Sequence, residues 1–449
     1  MKTTVRSRIV LRRLPLTAAA LISLFAINTV RPTSAQSINT TDRDRGHVIL
    51  KTLKNEIKKN YYDPGFHGLD LEALFKTADE KVDRAASVSQ IFGIVAQTLI
   101  EFNDSHLFFI PPSRAARSDY GWQWQAIGDK CYVVAVKPDS DAERKELLPG
   151  DLVISIDNFQ PARDNVWKLD YLYNALRPQP GMRVVVQHPG GKQQQIDVMA
   201  KVTERKRRVD LTRSDGSDLW DLIRESEDQS RFYRDRYYEM GDDLLIWKMP
   251  LFEFNEQAID DMMRKVRKHK ALILDLRGNP GGAEETLKRM IGYFVDHDVK
   301  VGDLKRRKET KPLEAKHQGG GFTGKLIVLT DSRSASSSEI FARVMQIEKR
   351  GTVIGDRSAG AVMRAIGNSF QLGADVIVPY AASITDADLI MTDGKSLEKN
   401  GVTPDELLLP TAADLAAKRD PVLARAAALA GVKLDPEKAG SMFPVEWRK

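Results

Sequence analysis

The sequence predicts an α/β protein, and three patterns support this class. From residue 244 onward, short apolar runs alternate with helical patterns, for example 272–276 followed by 284–294. Such alternation indicates a sheet with helices packed against it. Residues 40–103 show the three-to-four-residue apolar spacing of helices, and residues 131–199 contain short strand-like runs. We therefore expect an α/β core preceded by a helical region and a β-rich module.

The first 35 residues have the layout of an export signal. Five basic residues precede the mostly apolar run 16–27, and Thr33-Ser34-Ala35 offers small residues for cleavage. The run is shorter than the roughly 20 apolar residues that a membrane-spanning helix needs, so cleavage is favoured over retention as an anchor. The sequence thus predicts a signal peptide over 1–35, a periplasmic or secreted protein, and no stable membrane insertion after cleavage.

Composition excludes several classes of partner and cofactor. Removing residues 1–35 removes six basic residues and no acidic one, which leaves 62 basic and 62 acidic residues. No arginine-rich stripe with interleaved aromatic residues is present, so we expect no nucleic-acid partner. The single cysteine, Cys131, excludes an intrachain disulfide and a cysteine-rich metal site. Neither a metal nor another cofactor is expected.

Changes of pattern divide the rest of the chain into three parts. An N-terminal helical region over 36–112 contains a break at Asp63-Pro64-Gly65 and ends after Asn103-Asp104-Ser105-His106. A β-rich domain over 113–203 follows, with a turn at Leu148-Pro149-Gly150-Asp151. The core domain over 204–449 begins with a charged connector that has no clear period.

Two motifs in the core carry the chemistry. Asp275-Leu-Arg-Gly-Asn-Pro-Gly-Gly282 and Ser334-Ala-Ser-Ser-Ser-Glu339 each follow an apolar run and precede a helical pattern. A hydroxyl on a sharp turn can act as a nucleophile, and a glycine turn lets backbone N–H groups face a developing oxyanion. Each motif also has a structural explanation: the glycines as a tight connection, and the serines as a helix cap completed by Glu339. Together they favour a serine hydrolase.

The motifs resemble those of the tail-specific or C-terminal processing serine proteases and of the tricorn core protease. In addition, Leu148-Pro-Gly-Asp-Leu-Val-Ile-Ser-Ile-Asp157 is similar to a PDZ signature, and Gly394-Lys-Ser-Leu-Glu-Lys-Asn-Gly-Val-Thr-Pro-Asp405 is similar to a late element of the family. The resemblance implies a crotonase-like spiral protease core, an N-terminal helical region and an inserted β-rich PDZ domain.

The resemblance also implies catalytic residues. Ser336 matches the nucleophile, but the lysine that one branch pairs with it is replaced here by Ala361. His106 matches the histidine of the tricorn branch, and a histidine is a suitable base near neutral pH. Ser105 and Glu398 match the residues that orient it. The chain is therefore expected to be closer to the tricorn branch.

The oxyanion donors implied are the backbone N–H groups of Gly281 and Ser337, with Gly282 as an alternative to the first. Two roles stay open. Glu339 lies close to the nucleophile in sequence and could serve either structurally or catalytically, and Ser105 could simply cap a turn.

The expected function is that of a serine endopeptidase whose PDZ domain binds the C-terminal tails of protein or peptide substrates. A PDZ-containing binding protein that has lost turnover, a pseudoprotease, is the main alternative. An acyl-CoA enzyme with the same core fold is a third, but the signal peptide speaks against it. Labelling of Ser336 by a fluorophosphonate separates the first two.

Overall fold

The computed structural model describes residues 38–112, 116–176, 178–204, 232–373 and 378–447. The predicted signal peptide and most of the predicted connector lie outside these ranges. No helix within them is long and apolar enough to cross a membrane.

Three helices form the N-terminal region: α1 (Thr40–Asn60), α2 (Leu71–Asp83) and α3 (Val88–Ile100). Each begins at a polar cap, Asn39, Asp70 or Ser87, whose side chain accepts a backbone N–H of the first turn. Their apolar faces bury one another, whereas Val48, at helical spacing from the buried residues, is 50% exposed. The short strand β1 (Phe108–Ile110) follows.

The next part of the chain is rich in strands: β2 (Ala116–Asp119), β3 (Trp122–Ile127), β4 (Lys130–Val136), β5 (Leu152–Ile156), β6 (Gly181–Gln187), β7 (Gln193–Met199) and β8 (Lys201–Glu204). Strands β3 to β7 form one antiparallel sheet in chain order, and β2 pairs with β8. Two short helices, α4 (Asp141–Arg144) and α5 (Val166–Tyr171), complete it, and a π-helical turn over Leu172–Leu176 extends α5. Strand β3 lies at the edge of its sheet.

The remaining strands are β9 (Arg236–Met240), β10 (Leu244–Lys248), β11 (Ala271–Asp275), β12 (Val299–Arg306), β13 (Thr310–Ala315), β14 (Lys325–Thr330), β15 (Gly351–Gly355), β16 (Arg364–Leu372), β17 (Val378–Met391) and β18 (Glu406–Leu407). One sheet has the order β18-β15-β14-β11-β10-β9, in which only β9 runs antiparallel to its neighbour.

Helices cover both faces of this parallel sheet. On one face lie α6 (Glu256–Val266), α7 (Glu284–Phe294) and α8 (Ser337–Ile347). On the other lie α10 (Pro421–Leu429) and α11 (Pro436–Met442), which follow the short α9 (Ala412–Ala416). Burial on both faces explains why its strands read as continuous apolar runs. The predicted α/β class is confirmed.

A second sheet joins β1, which follows the N-terminal helices, to strands of the C-terminal half of the chain. Its order is β1-β17-β12-β13, with β16 also paired to β17. Strand β1 runs antiparallel to β17, and Phe108 lies opposite Ser383. This pairing fixes the turn that precedes β1, where the predicted histidine lies.

Candidate active site

The glycine turn and the serine turn meet because β11 and β14 are parallel neighbours, with Asp275 opposite Leu329. The carboxyl ends of parallel strands share one edge of a sheet, so both turns leave from the same edge. Backbone contacts hold them together beyond the strands. The N–H of Leu276 donates to the carbonyl of Leu329 at 3.0 Å, and the N–H of Gly278 donates to the carboxylate of Asp331 at 2.9 Å.

Three of the four serines in the serine turn have structural hydroxyls. Each donates to a backbone carbonyl of the glycine turn: Ser334 to Leu276 at 2.8 Å, Ser337 to Gly282 at 3.0 Å and Ser338 to Asn279 at 3.0 Å. These bonds tie the two turns together. Ser336 has no such bond to the glycine turn and instead lines an adjacent cleft.

Ser336 has an unusual backbone conformation, with φ +54° and ψ −119°. A residue with a side chain rarely adopts positive φ, and holding it there costs about 1–3 kcal/mol. Two acceptors hold its N–H: the carbonyl of Ala361 at 2.8 Å and the carboxylate of Glu339 at 3.1 Å. The strained turn directs Ser336 into the cleft at the start of α8.

Glu339 is fully buried beneath this turn and has a structural role. Its carboxylate accepts from the hydroxyl of Ser358 at 2.5 Å and from the N–H groups of Gly360, Ala361 and Ser336 at 2.7, 2.9 and 3.1 Å. Burial raises the pKa of Glu339 to about 7, and these four donors oppose that rise. These contacts join Glu339 to the nucleophile turn and to residues 358–361.

His106, Ser105 and Glu398 form a continuous chain of hydrogen bonds. The Ser105 hydroxyl lies 2.8 Å from Glu398 Oε2 and 2.7 Å from His106 Nδ1. The backbone N–H of Ser105 donates to Glu398 Oε1 at 3.0 Å, and that of Val362 donates to Oε2 at 3.0 Å. These contacts bring together three of the predicted site residues from opposite ends of the chain.

The tautomer of His106 follows from this chain. An ionised carboxylate can only accept, so the one proton of the Ser105 hydroxyl goes to Glu398. The same oxygen must then accept from His106, which places the ring proton on Nδ1. The neutral ring therefore carries a free lone pair on Nε2.

Asp104 holds the histidine turn in place. Its buried carboxylate accepts from the N–H groups of His106 and Leu107 at 2.8 and 3.2 Å, from the hydroxyl of Thr385 at 2.8 Å and from that of Tyr61 at 2.9 Å. Burial lowers the pKa of His106, while the charges of Glu398 and Asp104 raise it and that of Lys399 lowers it. The net shift of this pKa is downward, because burial has the largest effect, and the neutral ring is favoured.

His106 and Ser336 line the same cleft, whose volume is about 450 Å³. Much of its wall is apolar: Leu287, Leu304, Leu313, Ile340, Val362 and Leu389. Among the described residues no hydrogen bond joins His106 directly to Ser336. Catalytic hydrogen bonds are often long without substrate and shorten only in its complex.

Comparisons with known proteins show which peptidases the chain resembles. Residues 244–408 match the model of peptidase family S41. We refer to these matched residues as the S41 domain. The tail-specific protease of Haemophilus influenzae is 25% identical over 322 residues, which cover 67% of this chain and 43% of that protein. A putative tricorn protease homolog of Streptomyces coelicolor is 22% identical over 401 residues, 83% of this chain and 31% of its own length.

A solved structure supports the fold over a wider range than the S41 domain. Mature CPAF in complex with lactacystin aligns with a TM-score of 0.62 at 14% identity, covering 84% of this chain and 96% of that one. The predicted resemblance to tail-specific and tricorn-type proteases is confirmed. The chain spans less than half the length of the two relatives named above.

The backbone N–H groups that are expected to hold an oxyanion differ in whether they already have an acceptor. The N–H of Gly281 donates to Asn279 Oδ1 at 2.8 Å and is therefore occupied. Within the described residues, the N–H groups of Gly282 and Ser337 have no recorded acceptor, and both residues line the cleft. Gly281 serves by its size instead, because a Cβ there would lie 2.6 Å from the Cβ of Ser336.

Ala361, which replaces the lysine of the other branch, makes two backbone contacts. Ala361 accepts the N–H of Ser336, and its own N–H donates to Glu339. No lysine lines the cleft in the described part of the chain. Arg364 does line it, but its guanidinium pairs with Glu284 at 3.1 Å and also with Asp386. A guanidinium remains protonated and cannot act as a base.

The sequence analysis assigns no role to Asp104 or to Asn279. Asp104 precedes Ser105-His106 directly, and an aspartate two residues before a histidine is a recognisable turn signal, since its side chain commonly accepts the N–H at that position. Asn279 lies inside the glycine motif and donates to the carbonyl of Met249 at 2.8 Å while accepting from Gly281. No pattern in the sequence indicates the two partners of Asn279.

Proposed function

We propose that this protein is a serine endopeptidase with Ser336 as nucleophile and His106 as general base. The bonded chain Glu398–Ser105–His106 carries the proposal, because it leaves the His106 Nε2 lone pair free in the cleft that Ser336 lines. Ser105 and Glu398 orient the ring and stabilise its cationic form, as the acid does in Ser-His-Asp enzymes.

The mechanism follows from these groups. His106 Nε2 takes the proton of the Ser336 hydroxyl as its oxygen attacks the peptide carbonyl carbon. The N–H groups of Gly282 and Ser337 stabilise the oxyanion. The imidazolium then gives its proton to the leaving amine, and a water molecule hydrolyses the acyl-enzyme by the same sequence. The apolar wall of the cleft suits an apolar substrate side chain.

The β-rich module, predicted as a PDZ domain over 113–203, is proposed to bind substrate tails. Strand β3 lies at the edge of its sheet, and an extended peptide can add to such an edge as a further strand. The names of the tail-specific and C-terminal processing relatives point to the same substrates, the C-terminal tails of proteins. The predicted signal peptide supports a periplasmic or secreted location.

Covalent labelling tests the nucleophile. The parent protein should react with a fluorophosphonate probe and hydrolyse an activated ester, and Ser336→Ala should do neither. His106→Ala should lose most turnover, and the double variant should be hardly worse than either single one, since residues that act as one unit are non-additive.

Ser338→Ala is the matched control, because its hydroxyl only bonds the glycine turn; it should retain labelling at Ser336. A folded parent protein that does not label would contradict the proposal and favour a binding protein without turnover. His106→Ala with parental turnover would show that another group is the base.

A further inference from the structure

A groove runs along the free edge of β3, on the side away from β4. Its volume is about 410 Å³, and its lining includes Trp122 and Trp124 of β3, Asp170 of α5, Asn174 and Arg333. Among the described strands β3 pairs only with β4, so this edge is open to another chain.

The groove contains donors that lack an acceptor. Trp122 and Trp124 are 5% and 3% exposed, and their indole N–H groups have no hydrogen-bond partner in the described structure. A buried indole N–H usually has one. The guanidinium of Arg333 lies in the same groove. The charge of Arg333 suits a ligand that brings carboxylate oxygens, such as the end of a peptide, whereas the two indole N–H groups lie buried beneath the groove surface.

Only part of the β3 edge is available to such a ligand. The carbonyl of Trp124 accepts from Arg333, and that of Ala126 accepts from Ser332. Both donors belong to the loop before the nucleophile turn. A strand advances about 3.3 Å per residue, so an added peptide has only the first half of β3, near Trp122, for new backbone contacts.

The last described segment of the chain forms part of the wall of this groove. Glu446 and Trp447 line the groove together with Trp122. Two arginines hold the segment there: Arg236 donates to the carbonyl of Pro444 at 2.9 Å, and Arg234 pairs with Glu446 at 3.0 Å. Upstream, the ring of Phe443 packs on Tyr238, with 5.2 Å between the centroids.

We propose that residues 443–447 are a built-in competitor that a substrate tail must displace from the β3 groove. The inference rests on the proposed function, which assigns substrate tails to this edge. The segment is tethered, so its local concentration is high without any partner. A substrate tail then binds with an affinity reduced by the fraction of molecules in which the segment is away.

The test measures peptide binding in a Ser336→Ala background, so that nothing is cleaved. The probe is a fluorescein-labelled decapeptide that ends in three alanines with a free α-carboxylate, followed by anisotropy. Ending the chain at Phe443 should lower its Kd about three- to tenfold, as expected if the segment occupies the groove about 70–90% of the time. Arg234→Ala removes one of the two arginines that pair with Glu446, the other being Arg236 at 3.8 Å, and should lower the Kd by a smaller factor.

Glu406→Gln is the matched control. It removes another partly exposed carboxylate that pairs with an arginine, Arg425, and that does not line the groove. Its Kd should equal that of the parent. A peptide with the sequence of residues 440–447, added in trans, should displace the probe from the shortened chain.

The outcomes separate the two ideas. An equal, measurable Kd for the parent and the shortened chain would overturn the competitor and leave tail binding intact. No binding to either would overturn tail recognition at β3 and the competitor with it. The point variant Arg234→Ala decides the matter if the shortened chain does not fold.

Discussion

Replacing Glu398 by glutamine should weaken catalysis through a conflict that the structure makes unavoidable. Glu398 Oε1 accepts from the N–H of Ser105, and Oε2 accepts from the N–H of Val362 and the Ser105 hydroxyl. A glutamine has only one acceptor oxygen, so either orientation of the amide turns its NH₂ group toward a backbone N–H. Leaving one such donor unpaired costs about 1–3 kcal/mol of stability.

The effect on turnover is of similar size. The hydrogen bond from Ser105 loses the charge of its acceptor, and a hydrogen bond to a charged group is worth about 1–1.5 kcal/mol more than a neutral one. The His106 ring is also less well oriented in this variant. We therefore expect kcat to fall about 10- to 100-fold, which corresponds to a rise in the activation free energy of about 1.4–2.7 kcal/mol. Ser105→Ala should act similarly, and the double variant should be less impaired than the product of the two effects.

The pH profile should also change, in a direction that follows from the charge of Glu398. Activity requires neutral His106 and rises with pH through its pKa, which the charge of Glu398 raises. Losing that charge lowers the pKa, so the acid limb of kcat/KM should move to lower pH in Glu398→Gln. Lys399→Met is the control with the opposite sign, because Lys399 lowers the same pKa. An unchanged acid limb with parental kcat would refute the assignment of Glu398.

Three further predictions concern the nucleophile turn. Gly281→Ala, whose Cβ would meet Ser336 at 2.6 Å at φ +98°, should reduce ester hydrolysis by at least about 100-fold, whereas Gly278→Ala, also at positive φ but with no atom within 4 Å, should not. The pKa of Glu339 is raised by folding from 4.5 to about 7, so its contribution to stability is complete below pH 4.5 and is lost by about pH 7. The free energy of unfolding, measured with denaturant, should therefore fall with rising pH by about 3 kcal/mol more in the parent than in Glu339→Gln over this window. Parallel curves for the two proteins would exclude the raised pKa of Glu339. Ala361→Lys should not increase turnover, because the lysine would add a second base beside a working one; a large gain would point to a lysine-dependent site.

Local patterns predicted the parts of the fold that are local. The apolar runs before Asp275 and Ser334 are strands because both faces of their sheet are buried, and a continuous apolar run is what such strands require. The sheet formed by β12, β13, β16 and β17 was not predicted. Its strands carry many charged residues, as in Val299–Arg306, and are held by pairing with distant segments that no local pattern reveals.

The candidate site shows the same limit. The motifs around Ser336 and His106 were visible, but the choice between Gly281 and Gly282 depends on Asn279, whose side chain takes the N–H of Gly281. The structural role of Glu339 depends on donors from 358–361. Hydrogen-bond partners of buried groups are set by tertiary contacts and not by spacing along the chain.

The pairing of β1 with β17 has a consequence for when activity can appear. The S41 domain over 244–408 contains Ser336 and Glu398 but not His106, which reaches the cleft only after residues far apart in sequence have paired. Closing so long a loop is slow and comes late in folding. If Ser336 and His106 act as proposed, a nascent chain holds the nucleophile before its base is in place. Under the proposed mechanism, proteolysis is therefore expected only after β1 has paired with β17.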